Sequence, residues 1–316
     1  MKKIVIFGGG SGLSQLLKGL KLFPIEVTAV VSVSDNGKST GILRKTYNIP
    51  AVGDISKVLL AMSDCDNEVR DLMNYRFTKS KSLGNHSIKN LLLTALLDLK
   101  GDFTSAIPVL VNLLNIKGNV LPLTEDNVDL VGITSDGKRL VGEHQITFSK
   151  KKIVRIAYSS EINVNPKVLE AVKKADLIIF SSGSLMTSII PHLLDKKLNN
   201  AIKNSKAKKM YVCNLFTQPG ETDGYKVSDH VKLLEAYLGE NTINAVVANS
   251  SRMNSNLIKK YETMEQKDQV ALDLDNLENM NVKVLADKLY TIEDNVYRHD
   301  SLKTAYVIFS YLMEGK

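Results

Sequence analysis

Gly8-Gly9-Gly10-Ser11-Gly12 lies between a β-branched apolar run, Lys3 to Phe7, and leucines at helical spacing, Leu13, Leu16, Leu17 and Leu20. Glycines bring backbone close to a ligand and present successive N–H groups, and the helix behind them adds its positive end. Ser11 and Ser14 add hydroxyls. Those residue types in that order describe a cradle for the phosphates of a nucleotide-type ligand. The plain alternative is a tight strand-to-helix turn without a ligand, and three consecutive glycines after a first strand argue against it.

Two familiar phosphate motifs are excluded by single residues. The dinucleotide fingerprint G-x-G-x-x-G, counted from Gly8, needs glycine where Leu13 stands; counted from Gly10, it meets Gln15. An NAD(P)-dependent oxidoreductase is therefore a remote alternative. The segment Asp35-Asn36-Gly37-Lys38-Ser39-Thr40-Gly41 ends like a P-loop but carries Ser32 where that motif needs glycine. It still follows a second apolar run, at the strand end where α/β ligand sites form. Asp35 there could hold a ribose hydroxyl or a divalent cation such as Mg²⁺, or be a turn residue. Asp54, just before a helical pattern, fits an N-cap. His86 is a lone histidine with no evident nucleophile paired to it. Two further polar loops follow apolar runs: Ser181-Ser182-Gly183-Ser184, and NLFTQPGETDG from Asn214 to Gly224. Several such loops leaving strand ends converge on one cleft, a stronger sign than any single motif.

The elements that must position these loops are legible in the periodicity. The opening is strand, loop, helix, strand, with the second strand at Val27 to Val33. Apolar residues at helical spacing make residues 54–115 mainly helical. A Ser135-Asp136-Gly137 turn between Val128–Thr134 and Arg139–Ile146 signals a hairpin. Strands and helices then alternate: strands at Ile153–Ala157, Leu177–Phe180, Met210–Cys213 and Ala245–Ala248, and helices at Pro166–Lys174, Lys196–Asn204 and Lys226–Leu238. A last amphipathic helix runs from Leu302 to Met313. Right-handed crossovers place these strands in one mainly parallel sheet. The expectation is a single α/β domain over residues 1–316, with a helical and β-hairpin insertion at about 65–150.

Composition narrows the setting. The chain has 316 residues, 44% of them apolar and 24% charged, enough for a large core. The net charge of +7 suits phosphorylated ligands or nucleic acid, but the lysines are scattered and there is no Trp. Lys150-Lys151-Lys152 with Arg155 fits a solvated strand edge. Nucleic acid is not the expected partner. Cys65 and Cys213 fit no metal spacing and read as free thiols. No apolar run approaches the roughly 20 residues that span a bilayer, and none near the start forms a signal sequence. The expectation is a soluble, cytoplasmic protein without membrane insertion.

Along nearly its whole length the sequence resembles the CofD-like family, in its bacterial YvcK-type gluconeogenesis-factor branch. The resemblance is carried by GGGSGL at Gly8, SVSDNGKSTGILR at Ser32, PAVGD at Pro50, HSIKNLLL at His86 and LPLTEDNVDL at Leu121. It continues in GSLMTSIIPHLL at Gly183, KAKKMYVCNLFTQPGETDGYKVSDHV at Lys206, and YRHD at Tyr297. It implies a Rossmann-like three-layer α/β/α fold, often dimeric, so a homodimer is expected. CofD itself moves a phospholactyl group from a guanylated donor with a divalent metal. The YvcK-type branch is tied to central carbon metabolism, cell-wall peptidoglycan synthesis and cell shape. It binds UDP-N-acetylglucosamine with no assigned reaction or certain cofactor.

On that resemblance Gly9, Gly10, Ser11 and Gly12 hold the pyrophosphate, and Thr217 and Gln218 line the nucleotide or sugar pocket with Ser184 and Asn214 nearby. Tyr261 and Arg298 match the Tyr and Arg of UDP-sugar binding. Tyr261 could stack on uracil or simply pack in a helix over 257–261; Arg298 could chelate phosphate or stack on a base. The sequence departs from the family pattern at Asn36, where a second aspartate is usual, and at Lys38, where glycine is usual. Val52 and Ser56 replace a proline and an arginine. Asn36 removes a metal ligand while anion binding is left intact. Three functions stand: a UDP-N-acetylglucosamine-binding regulator, a CofD-type transferase of a phosphate-containing group, and, remotely, an oxidoreductase. No catalytic residue is assigned.

Overall fold

The computed structural model describes residues 1–79, 83–254, 258–259 and 261–314. The glycine cradle sits between β1 (Lys3–Gly8) and α1 (Gly10–Leu20). Beside β1 lie β2 (Glu26–Val31) and, at the edge, β3 (Asn119–Pro122). α2 (Lys38–Tyr47), α3 (Gly53–Met62), α4 (Asn67–Asn74), α5 (Ile88–Lys100) and α6 (Phe103–Leu113) fill the chain between β2 and β3. On the other side of β1 come β7 (Leu177–Phe180), β8 (Lys208–Val212), β9 (Ala245–Asn249) and β10 (Lys283–Asp287). The seven strands run in the order β10-β9-β8-β7-β1-β2-β3, and every neighbouring pair is parallel. This is an α/β, Rossmann-like architecture.

Alternation along the central strands builds two cores. Ile4 and Ile6 face one layer with Leu13, Leu16, Leu17 and Leu20 of α1, with α3, and with the C-terminal helix Ser301–Glu314. Val5 and Phe7 face the other with Ile178, Phe180, Tyr211 and the helices α8 (Pro166–Lys174), α9 (Lys196–Asn204) and α10 (Val227–Leu238). Side chains of a strand point alternately to the two faces of its sheet, so one apolar run serves both layers. Phe7 stacks on Phe180 with ring centroids 5.8 Å apart. Burying each such ring stabilises by roughly 1.5–3 kcal/mol.

Three expectations are corrected. Ile153–Tyr158, labelled β6, is not in the main sheet. It pairs antiparallel with β4 (Leu130–Thr134), which also pairs with β5 (Arg139–Val141), in a separate three-stranded sheet. Its apolar alternation is equally good for either sheet, and only the partner decides. The hairpin exists with its Asp136-Gly137 turn, but its second strand stops at Val141. Gly142, at φ 91°, turns the chain into a short helix, α7 (Glu143–Thr147), that contains Ile146. Within residues 65–150, β3 returns to the main sheet, so that stretch is not one excursion from it.

The small sheet is fastened by Arg44 of α2. Its buried guanidinium donates to Asn127 Oδ1 at 2.7 and 3.1 Å, to the Val128 carbonyl at 3.1 Å and to Asp129 Oδ1 at 3.0 Å. Replacing it leaves those acceptors without their donor. Arg44→Met should lower stability by about 2–3 kcal/mol in denaturant unfolding; a variant within about 0.5 kcal/mol of the parent contradicts the clamp.

Candidate functional site

The chain fills one half of the sheet from β1 outward to β3, then returns to fill the other half from β7 to β10. The loops after β1 and β7 therefore diverge, and open α/β sheets bind ligands in the crevice at such a switch. A cavity of about 360 Å³ lies there. It is lined by Ser11, Gly12, Ser184, Asn214, Thr217, Gln218, Tyr261 and Arg298, which the sequence singles out. Gln15, Phe216, Lys267, Tyr297 and His299 also line it and are not evident from the sequence.

Gly12 is where the two loops touch. A Cβ at this position would lie 1.9 Å from the Ser182 carbonyl oxygen, so no larger residue fits without moving a loop. Asn214 holds the second loop: its Oδ1 accepts from the Gly183 N–H at 2.9 Å and its Nδ2 donates to the Gly183 carbonyl at 2.7 Å. Ser184 donates its hydroxyl to the Glu221 carboxylate at 2.6 Å and accepts from the Thr187 N–H. Gln218 Nε2 donates to the same carboxylate at 2.8 Å. Thr217 Oγ1 accepts from the Asp268 N–H at 2.9 Å. Much of the polar lining is thus committed to shaping the cleft. Ser11, exposed in the first turn of α1, sits beside helix amides that no side chain caps.

Gly9 and Gly10 do not line the cavity. They lie against Asp54: a Cβ on Gly9 would be 2.8 Å from its Oδ2, and one on Gly10 3.6 Å from its Oδ1. The glycine run is split, with Gly9 and Gly10 facing a carboxylate of the chain itself and Ser11 and Gly12 facing the cleft. Asp54 is not an N-cap; it lies inside the first turn of α3 and also receives the Lys57 ammonium at 3.1 Å. Burial and the nearby Asp35 raise its pKa, against the pull of Lys57.

Asp35 Oδ1 accepts from the Gly37 N–H at 2.8 Å, which is the turn role. Among the described residues no three of His, Cys, Asp or Glu gather at metal-ligand geometry. A Mg²⁺ ion would have Asp35 without a protein cage around it. Asn36 takes a different part from the usual aspartate: its Oδ1 accepts from the His144 N–H at 2.8 Å, in the first turn of α7. That contact brings Glu143 beside Asp35 and Asp54. Desolvation, then repulsion from those two, pushes Glu143 up to about 9. Burial pushes Glu221 up to about 7, against its hydrogen bonds from Ser184 and Met186. The Lys38 side chain and residues 255–257 and 260, which include two of the five residues of the helix expected over 257–261, lie outside the described residues.

Tyr261 is 7% exposed and packs in a cluster of rings. Phe216 stacks on it at 4.4 Å and 8°, Tyr297 tilts against both, and its hydroxyl accepts from the Tyr297 N–H at 3.0 Å. One face of Tyr261 is therefore taken by Phe216. Arg298, on β12 (Val296–His299), pairs with Glu293 of the adjacent antiparallel β11 (Tyr290–Glu293) at 3.5 Å. The His299 Nε2 donates to the Cys213 carbonyl and the His192 Nε2 to the Gly8 carbonyl, each at 3.1 Å. Burial takes both imidazoles down to about 4, so they are neutral props under the strand ends. His86 has a partner that the sequence does not reveal: its Nδ1 is 2.8 Å from the Ser39 Oγ. Among the described residues no carboxylate orients its other nitrogen.

The family described as 2-phospho-L-lactate transferase CofD matches residues 4–290. The gluconeogenesis factor of Bacillus subtilis is 41% identical over 313 residues, covering 99% of this chain and 98% of that protein. The gluconeogenesis factor of Halalkalibacterium halodurans is 38% identical over 317 residues, covering 100% and 97%. A crystal structure of a Bacillus halodurans protein superposes with a TM-score of 0.93 at 38% identity, over 98% of this chain and 99% of that one.

The raised carboxyls give a pH dependence with a definite sign. A Glu whose pKa rises on folding, from 4.5 to about 9 for Glu143 and to about 7 for Glu221, stabilises fully below its unfolded value and loses that contribution as pH rises through the folded one. The melting temperature should fall between about pH 6 and about pH 9, and Glu143→Gln should shrink that fall. Equal falls in parent and variant would remove Glu143 from the explanation.

Proposed function

The chain belongs to the CofD family and to its gluconeogenesis-factor branch, and on that premise we propose that it binds a nucleotide-activated sugar, UDP-N-acetylglucosamine, as a regulatory ligand. One observation carries the reading. The switch-point cleft joins the uncapped start of α1 at Ser11 and Gly12, a guanidinium at Arg298 and an aromatic floor. Those are the three things a nucleoside diphosphate sugar asks for: N–H donors and positive charge for the pyrophosphate, and a π-face for the base. Arg298 serves the phosphates. Phe216, half-buried in the lining and backed by Tyr261, serves uracil; Tyr261 acts through it. Ser184, Thr217 and Gln218 border the sugar end, and Asn214 positions the Gly183 loop. In this reading the protein works in the cytoplasm and couples the level of a cell-wall precursor to carbon metabolism, cell-wall synthesis and cell shape.

Calorimetry should give saturable binding of UDP-N-acetylglucosamine, weakened about tenfold or more by Arg298→Ala, in keeping with the loss of a charge-assisted contact. Folded protein that gives no heat at about millimolar ligand would overturn the reading.

A transferase of a phosphate-containing group is the second reading, favoured by Glu143. A carboxyl kept protonated at neutral pH beside Asp35 and Asp54 can hand a proton to a leaving phosphate oxygen. It predicts slow release of free nucleotide from a nucleotide-activated donor, abolished by Glu143→Gln with the fold retained. Release at the same rate in the variant would eliminate it.

A further inference from the structure

Behind the start of α1, on the side away from Thr217 and Phe216, a second cavity of about 300 Å³ opens. Five cations line it: Lys18 of α1, Lys57 of α3, Arg70 of α4, Lys89 of α5 and Arg298 of β12. The carboxylates in its lining are Glu293 and Asp294. Lys57 is paired with Asp54, and Arg298 with Glu293. The other three donate only to uncharged oxygens among the described residues. Lys89 Nζ reaches Asn74 Oδ1 at 2.5 Å, Lys18 Nζ reaches Gln15 Oε1 at 3.1 Å, and Arg70 reaches the carbonyls of Leu60 and Ser63. Neutral oxygens aim a cation but leave its charge uncompensated.

Three unpaired cations around one hole repel each other, and such a cluster costs free energy until an anion enters it. Lys89 is half-buried. Desolvation, then the neighbouring Lys57 and Arg76, pull its ammonium down to about 8. The hole is concave and of small-molecule size, which favours a compact anion over an extended strand. Ser11, with its hydroxyl at the first turn of α1, lines it too, so helix amides and side-chain cations point at the same space.

We propose that this cavity is a second anion site, adjoining the nucleotide cleft at Ser11, Gln15 and Arg298, which takes a small phosphate-bearing molecule between Lys18, Arg70 and Lys89. It stands whether or not the cleft binds a nucleotide sugar. Arginine and lysine from three different helices, each already oriented by a neutral partner, make a preorganised receptor for a multiply charged phosphate. The ligand carries at least two negative charges, because one would leave the cluster undercompensated.

Inorganic pyrophosphate is the probe, titrated calorimetrically into the full chain with orthophosphate in parallel. The parent should bind pyrophosphate saturably and more tightly than orthophosphate. Lys89→Gln should weaken this about tenfold, as should Lys18→Gln at an exposed position that carries little risk to the fold. Phe216→Ala, in the cleft, should leave it unchanged. Weakening by either lysine variant with an unchanged Phe216→Ala supports the site. No saturable binding, loss in Phe216→Ala, or indifference to both lysine variants overturns it.

Discussion

The packing of Gly9 and Gly10 against the Asp54 carboxylate is the contact on which the site is built. A helix start is an anion-binding element, and here part of it faces an anion of the chain itself. That fixes α1 against α3, sets the plane of the glycine turn and determines which amides remain for an outside ligand. It also brings a buried carboxylate under the turn, and Lys57, Asp35 and Glu143 arrange themselves around that charge. Burial first, and then repulsion between neighbouring carboxyls, raises the pKa of Asp54 and Glu143. The Asp54 charge holds the Lys57 ammonium more firmly in its charged form.

Sheet topology supplies the second condition. The switch between β1 and β7 separates two loops, and Gly12 lets them touch again at one point. Asn214, reaching from the end of β8, closes both of its amide groups on Gly183. The cleft wall is therefore rigid backbone pinned by side chains, while the aromatic floor comes from later chain, where Phe216, Tyr261 and Tyr297 pack together.

Much of this was legible in the sequence. Gly8 to Gly12 after a β-branched run, and polar loops after two later strands, locate the cleft because strand ends and loops are local features. Eight of the ten binding residues expected from those loops and from the family resemblance line it. What escaped depends on distant partners. Gly9 and Gly10 look like Ser11 and Gly12 until Asp54 packs beneath them. Ile153–Tyr158 has a pattern that either sheet accepts. Asn119–Pro122 is too short to announce itself as an edge strand. Lys18, Lys57, Arg70 and Lys89 sit on four helices, and each alone resembles a solvated helix face. Only the packing of α1, α3, α4 and α5 gathers them.

Arg298 and Ser11 belong to the walls of both cavities. A guanidinium can turn its fork fully toward only one of two neighbouring anions, so two occupants on either side of it would not bind independently. Whatever factor one imposes on the affinity of the other is returned in equal measure. A chain arranged in this way would measure a ratio: its state would follow the balance between two phosphorylated molecules and stay steady when both rise together.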